Sequence, residues 1–423
     1  MRDSILQEVR MRSDVVDRTR PSGLAANRKI EVALLTGGID KPYVLGLSST
    51  LASLGIFLDL IGSDELRSPE LLNEPQVSFL NLRGDQRREA RLLTKVLRIL
   101  RYYAKLILYA ATAKPAIFHI LWNNRFQLFD RTVLMLYYKL LGKKVVFTVH
   151  NVNAGKRDLN DSFLNRCSLK VQYRLSDHLF VHTTKMKNEL CREFGVPESK
   201  VTVIPFGINN TLPCTPLTGA QAKQALGISD SHKTLLFFGR IARYKGLEYL
   251  LAALAILVSK DESYRLIVAG TIKDRNGYWD DIQESIARAG IRDKIINRIE
   301  FIPDEKVEFY FKAADVLVLP YTDIFQSGVL FLGYSFGLPV VATDVGDMRE
   351  DIVEGKTGFV CQPRDPLTLA NAIESYFASE LFRSLAEHRQ DLRDYANERY
   401  SWARAGQATQ LVYAMLLRSN NVQ

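Results

Sequence analysis

The sequence predicts an α/β protein made of two doubly wound halves, and three observations carry that expectation. Short apolar runs with the character of buried parallel strands alternate with segments of helical periodicity along most of the chain. At 423 residues the chain is too long for one hydrophobic core and suits two domains. A polar, Pro-containing stretch at 209–218 interrupts the alternation near its middle, as a linker would.

Residues 1–28 are polar, Arg-rich and aperiodic, which predicts a disordered tail. The first domain, 29–210, opens on the strand IEVALL (30–35), which runs into Thr36-Gly37-Gly38 and a helix carrying Leu45, Leu47, Leu51 and Leu54. Further buried strands are expected at 56–61, 116–121, 144–149, 178–182 and 201–204. The second domain, 211–400, repeats the series with strands at 234–238, 264–269, 298–302, 315–319, 339–343 and 358–361. A closing segment, 401–423, contains the amphipathic helix SWARAGQATQLVYAMLLR.

Composition narrows the function class. An apolar fraction of 47% with 24% charged residues is ordinary for a globular protein. No apolar run approaches the roughly 20 residues that span a bilayer. Residues 1–23 have no apolar core, so no secretory signal is expected. Cys167, Cys191, Cys214 and Cys361 are scattered without a CxxC pair, which suggests free thiols in a reducing cytoplasm. Charge is divided unevenly. Residues 1–210 hold 32 Lys+Arg against 20 Asp+Glu, and the remainder 24 against 27. Within the basic half, Arg87, Arg91, Lys95, Arg98 and Lys105 recur at helical spacing, interleaved with Leu92, Val96, Ile99, Tyr103 and Ile107. Such a helix, 87–114, suits an anionic membrane surface as well as its own domain's sheet. No nucleic-acid partner is expected.

The chemistry is concentrated in LLFFGRIARYKG (235–246). A buried strand breaks at Gly239, and Arg240 and Lys245 follow before a new helix begins. That places two cations at the carboxyl end of a parallel sheet, where open α/β sheets bind ligands. The pair is spaced to hold a diphosphate, the arginine as a fork and the lysine as a point charge. Downstream, Gln326-Ser327-Gly328-Val329 opens a helix and GLPVVATDVG (337–346) follows.

With GRIARYKG (239–246), VTVIPFGIN (201–209), AADVLVLPY (313–321), GLPVVATDVG and EGKTGFV (354–360) in order, the chain resembles the nucleotide-sugar-dependent glycosyltransferases of family 4. The first half matches more loosely, through Gly37-Gly38 and FTVHN (147–151). The resemblance implies the GT-B fold: two Rossmann-like domains face each other across a cleft, and a C-terminal helix crosses back to the first. It implies retaining transfer of a hexose from a nucleotide-diphosphate sugar, without metal or cofactor. The acceptor would be a cell-surface glycan precursor, lipid-linked, and the enzyme cytoplasmic or peripheral on the inner membrane face. By the same resemblance His150, Arg240 and Lys245 are catalytic. Gly37, Gly38, Gly239, Gln326, Ser327, Gly328, Val329 and Glu350 bind the donor. His119 and His182 also end strands and are read as structural. One departure stands out: where the family carries two glutamates eight positions apart, this chain has Ile324 and Leu332. The readings left open are a soluble acceptor and a catalytically inactive binding protein.

Overall fold

The computed structural model describes residues 29–418 except 38–39, 87–90, 159–160, 209–211 and 273–276. The predicted tail and Gly38 therefore lie outside the described residues. Strands β1 (Glu31–Leu35), β2 (Phe57–Gly62), β3 (Val77–Asn81), β4 (Ile117–Ile120), β5 (Lys144–Val149), β6 (His178–Val181) and β7 (Val201–Val203) form one sheet. Their order is β3-β2-β1-β4-β5-β6-β7, and every pair is parallel. The second sheet contains β8 (Lys233–Phe238), β9 (Tyr264–Ala269), β10 (Ile295–Arg298), β11 (Val316–Leu319), β12 (Val340–Thr343) and β13 (Gly358–Cys361). It runs β10-β9-β8-β11-β12-β13, also all parallel. Strand order reverses between β1 and β4 and between β8 and β11, so each sheet offers a crevice at its carboxyl edge.

The longer helices cover the sheets. In the first half they are α1 (Lys41–Ser53), α2 (Leu92–Thr112), α3 (Phe163–Leu175) and α4 (Thr184–Phe194). The second half holds α5 (Gly219–Ala225), α6 (Leu247–Lys260), α7 (Tyr278–Ala289), α8 (Asp304–Ala313), α9 (Gly328–Ser335), α10 (Pro366–Ala378) and α11 (Leu385–Arg399). Last comes α12 (Trp402–Arg418). Cover on both faces is why the central strands read as unbroken apolar runs: Val32–Leu34 and Val316–Leu319 are essentially inaccessible.

Two of the four edge strands, β3 and β10, were harder to read. β3 was not expected; it is half-exposed, and its Val77 and Phe79 alternate with Ser78 and Leu80. The strand expected at 298–302 is instead β10, which pairs with β9 from Ile295↔Leu266 to Arg298↔Ala269. The run after it turns away from the sheet toward Pro303, the N-cap of α8, and leaves Phe301 exposed.

The predicted crossover helix is present. α12 leaves the second half and packs on α1 of the first. Trp402 is its wedge: a Cβ on Gly46 would lie 2.2 Å from the indole and one on Gly207 2.1 Å. Trp402 Nε1 donates to the Ile208 carbonyl at 3.0 Å, and Ile208 N donates to the Tyr400 carbonyl at 2.9 Å. The chain thus passes between the halves twice, side by side.

Candidate active site

β8 ends at Phe238, and the turn after it is shaped by glycines. Gly239 has φ 102° and Gly246 φ 64°, and a Cβ on Gly246 would sit 2.0 Å from the Pro320 carbonyl oxygen. That close approach tucks the 3₁₀ turn Arg243–Lys245 against β11. Lys245 is only 5% exposed, and its Nζ donates to Tyr321 Oη at 3.0 Å. No carboxylate pairs with it among the described residues. Burial lowers its pKa to about 8; Tyr244 opposes this, and Arg240 and Arg157 push the same way as burial. The two turn cations are therefore unlike: Arg240 is exposed, Lys245 is a desolvated charge without a counter-ion.

Opposite Lys245, Ser327 is buried, with its hydroxyl 3.4 Å from Tyr321 Oη. Ser327 is the N-cap of α9 but its side chain does not cap. The first turn of any helix carries N–H groups without intrahelical acceptors and the positive end of the dipole. Gln326 presents a buried Oε1 without a partner among the described residues. From the first half, Asp40 caps α1 by accepting from Tyr43 N at 3.1 Å. Burial raises the Asp40 carboxyl above its usual range, opposed by the Tyr43 N–H and by the charge of Arg240 across the cleft.

These groups enclose a cavity of about 350 Å³ lined by Asp40, Tyr43, Lys245 and residues 326–329. Ile324 and Leu332 stand in the same wall, so the departure from the family's glutamates falls inside the site. Gly37, Gly239, Arg240 and His150 flank this cavity rather than line it. Gly37 has φ 62°, and a Cβ there would lie 2.6 Å from Trp122 Cβ. Glu350 is exposed on the turn Met348–Asp351, outside the wall, and its carbonyl accepts from Arg399 Nη2 at 2.7 Å.

His150 follows β5 and stacks on Trp122, ring centroids 4.1 Å apart and planes 3° from parallel. The edge of Tyr43 meets it at 4.8 Å. Its Nδ1 lies 3.1 Å from Nε2 of His182, whose Nδ1 lies 3.3 Å from the Ile204 carbonyl. Burial drives the His150 pKa well below its ordinary value, and the imidazoles of His182 and His119 add to this. His119 is structural as expected: it bridges Tyr413 Oη (2.6 Å) and Thr148 Oγ1 (2.7 Å), with its pKa lowered to about 3 by burial. His182, also read as structural, has both ring nitrogens engaged, one of them with His150. Tyr321, Asp40 and Trp122 were also missed; each sits at a strand end or first helical turn, the one local signal they carry.

A second compartment of about 420 Å³ adjoins the first at Ile324. Asn151, Asn153, Lys156, Arg157 and Lys185 bound it on one side, Asp323 and Phe325 on the other. The halves touch here: Arg157 lies over the Tyr244 ring at 4.5 Å, and Lys185 reaches the Gly346 carbonyl and, at 3.6 Å, Asp347. A larger groove of about 630 Å³ lies on the far side of the second half, between residues 214–220 and α11. Its lysines are already engaged, Lys223 with Asp315 (3.0 Å) and Lys312 with Glu308 (3.1 Å). Among the described residues no group of three or more His, Cys, Asp or Glu could hold a metal ion.

Two doubly wound sheets facing a cleft, with a helix crossing back, define the GT-B class of glycosyltransferase folds. Residues 41–212 match Glycosyltransferase Family 4 and residues 232–379 match Glycosyl transferases group 1, and the chain belongs to glycosyltransferase family 4. An uncharacterized glycosyltransferase of Methanocaldococcus jannaschii, MJ1607, is 28% identical over 55% of this chain and 58% of its own length. D-inositol 3-phosphate glycosyltransferase of Corynebacterium diphtheriae is 29% identical over 63% of this chain and 62% of its own. The chain thus spans about three fifths of the length of these relatives. Among solved structures, sucrose-phosphate synthase of Thermosynechococcus elongatus superposes with TM-score 0.72 at 20% identity, covering 93% of this chain and 100% of that one. HepE of Anabaena in complex with UDP-glucose gives TM-score 0.67 at 17% identity, covering 93% and 100%.

Proposed function

We propose that the protein is a retaining hexosyltransferase. It takes a hexose from a nucleotide-diphosphate sugar and transfers it to a cell-surface glycan precursor, lipid-linked, without a metal or cofactor. The observation that carries this is Lys245: a buried ammonium without a counter-ion, opposite a helix N-terminus, suits a diphosphate. Breaking the anomeric C–O bond leaves negative charge on that diphosphate. Lys245, Arg240 and the first-turn N–H groups of α9 are preorganised donors for it. That HepE is seen with UDP-glucose supports a nucleotide-sugar donor. Ile324 and Leu332 give the rest of the donor pocket an apolar wall in place of carboxylates.

The lipid-linked acceptor rests on the basic half. α2 exposes Leu93 (78%), Leu97 (65%) and Leu100 (55%), with Arg91, Lys95 and Arg101 exposed on the same helix. Tyr102 and Tyr103 of the same helix point inward and are buried. The short helices Gln127–Phe129 and Met135–Leu140 add exposed Leu128 and Leu140, and Phe126 is exposed just before them. Attraction of each such cation to an anionic leaflet is worth about 1 kcal/mol. No described helix is long and apolar enough to cross a membrane. A soluble, phosphorylated acceptor is the second reading, favoured by the cations of the second compartment and by the inositol-phosphate enzymes among the relatives.

The test is release or transfer of sugar from a panel of UDP-, GDP- and ADP-sugars by purified protein. Arg240→Ala and Lys245→Ala should each cut turnover by about 10²-fold or more; full activity in both sinks the clamp. Co-sedimentation with anionic but not zwitterionic vesicles, abolished by changing Arg91, Lys95, Arg98 and Arg101 to glutamine, separates the two acceptor readings.

A further inference from the structure

The contact between His182 and His150 determines which nitrogen carries a proton. The Ile204 carbonyl can only accept a hydrogen bond. His182 Nδ1 lies 3.3 Å from it, so a neutral His182 bears its proton on Nδ1 and leaves Nε2 bare. The 3.1 Å contact between His182 Nε2 and His150 Nδ1 must then be donated by His150. His150 Nε2 is left unprotonated; it is buried and has no partner among the described residues.

We infer that His182 is a positioning residue. Anchored on the Ile204 carbonyl, it holds His150 as the Nδ1–H tautomer, so that the bare Nε2 accepts a hydrogen bond from a hydroxyl of the transferred sugar. This rests on the reading of the cleft as a nucleotide-sugar site. Trp122 beneath the ring and Tyr43 at its edge fix the remaining rotation. Both imidazoles favour the neutral form this requires: burial lowers His182 to about 4 and His150 well below its ordinary value. The Leu121 carbonyl works against this for His150, and is the smallest of the influences on it. The consequence is chemical. An imidazole held this way takes a hydroxyl hydrogen but has no proton on Nε2 to give, so it is not the acid that neutralises the departing diphosphate. That charge is left to Lys245, Arg240 and α9.

The tautomer is read by nitrogen-15 NMR of histidine-labelled, ligand-free protein, with His150 assigned through His150→Gln. The expected spectrum has His150 Nδ1 protonated and Nε2 bare, in the wild type and in His182→Gln, whose amide oxygen still accepts. His182→Phe removes the acceptor. It should mix or reverse the tautomers and lower turnover about 10- to 100-fold, the usual cost of losing a residue that orients a functional imidazole. UDP affinity should hold, and His182→Gln should recover turnover. A proton on Nε2 in the wild type, directed at the Leu121 carbonyl, overturns the inference, as does a tautomer ratio unmoved by His182→Phe. A shifted tautomer with full turnover overturns the sugar contact. Expected tautomers in a protein that transfers no sugar uphold the lock and overturn the transfer reading.

Discussion

Replacing Lys245 by methionine should stabilise the ligand-free protein and remove its response to nucleotide. The ammonium titrates near 8 rather than 10.5 because burial disfavours its charge. A shift of that size corresponds to about 3 kcal/mol against the folded state at pH 7, at 1.36 kcal/mol per pKa unit. Methionine keeps the buried stem and forfeits only the hydrogen bond to Tyr321, worth about 1 kcal/mol. The net gain is about 2 kcal/mol. Its sign follows from linkage. A base whose folded pKa is depressed penalises the fold fully below about pH 8, less between 8 and 10.5, and not above. Urea unfolding at pH 7 should therefore favour Lys245→Met, and the gap should close as pH rises through that window. Adding UDP should reverse the order, since a ligand at 100 times its Kd stabilises the wild type by about 2.7 kcal/mol. A variant less stable than wild type at pH 7, a gap indifferent to pH, or an intact UDP response refutes the buried-cation argument.

Two further outcomes test the surroundings. Asp351 is buried and accepts from Tyr400 Oη at 2.9 Å, and burial raises its pKa to about 7 from 3.8. The contribution of the neutral acid is present below about pH 4 and lost as pH rises to 7. Asp351→Asn should match wild type in urea at pH 4 and exceed it by up to about 4 kcal/mol above pH 7; a constant gap rules this out. Gly207→Ala should push Trp402 from its notch, costing about 1–3 kcal/mol and red-shifting tryptophan emission. Unchanged emission and stability would mean the wedge is not tight.

What could be read from the sequence follows from how each residue is covered. Central strands such as VVFTV and VLVL are buried on both faces, so their runs are unbroken and their positions were legible. β3 and β10, at sheet edges, need only partial cover, and their signal merges with neighbouring turns. Gln326, Ser327, Gly328 and Val329 were placed in the cavity wall by a turn motif that is local in sequence. Lys245 was legible as a turn cation but its burial was not, because that depends on Gly246 pressing against the Pro320 carbonyl, 74 positions away. The partnership of His182 with His150 spans 32 positions and two strands, with no pattern to announce it. Glu350 followed the family's order but lies on an exposed turn.

The two chain crossings near Ile208 and Trp402 run together as one narrow strap, and this determines how the cleft can move. With both covalent connections on one line, the halves can swing but not slide apart. Motion is greatest at the opposite lip, where Arg157 meets Tyr244 and Lys185 meets Gly346 and Asp347. Lys185 is the exposed partner here, while Asp347 is buried and Arg157 partly so; polar contacts of this kind at a partly exposed lip are worth about 1 kcal/mol each and weaken with salt. The strap is built of tryptophan and backbone hydrogen bonds, while the lip is a light latch. Opening of the cleft should therefore begin at this lip and grow easier as ionic strength rises.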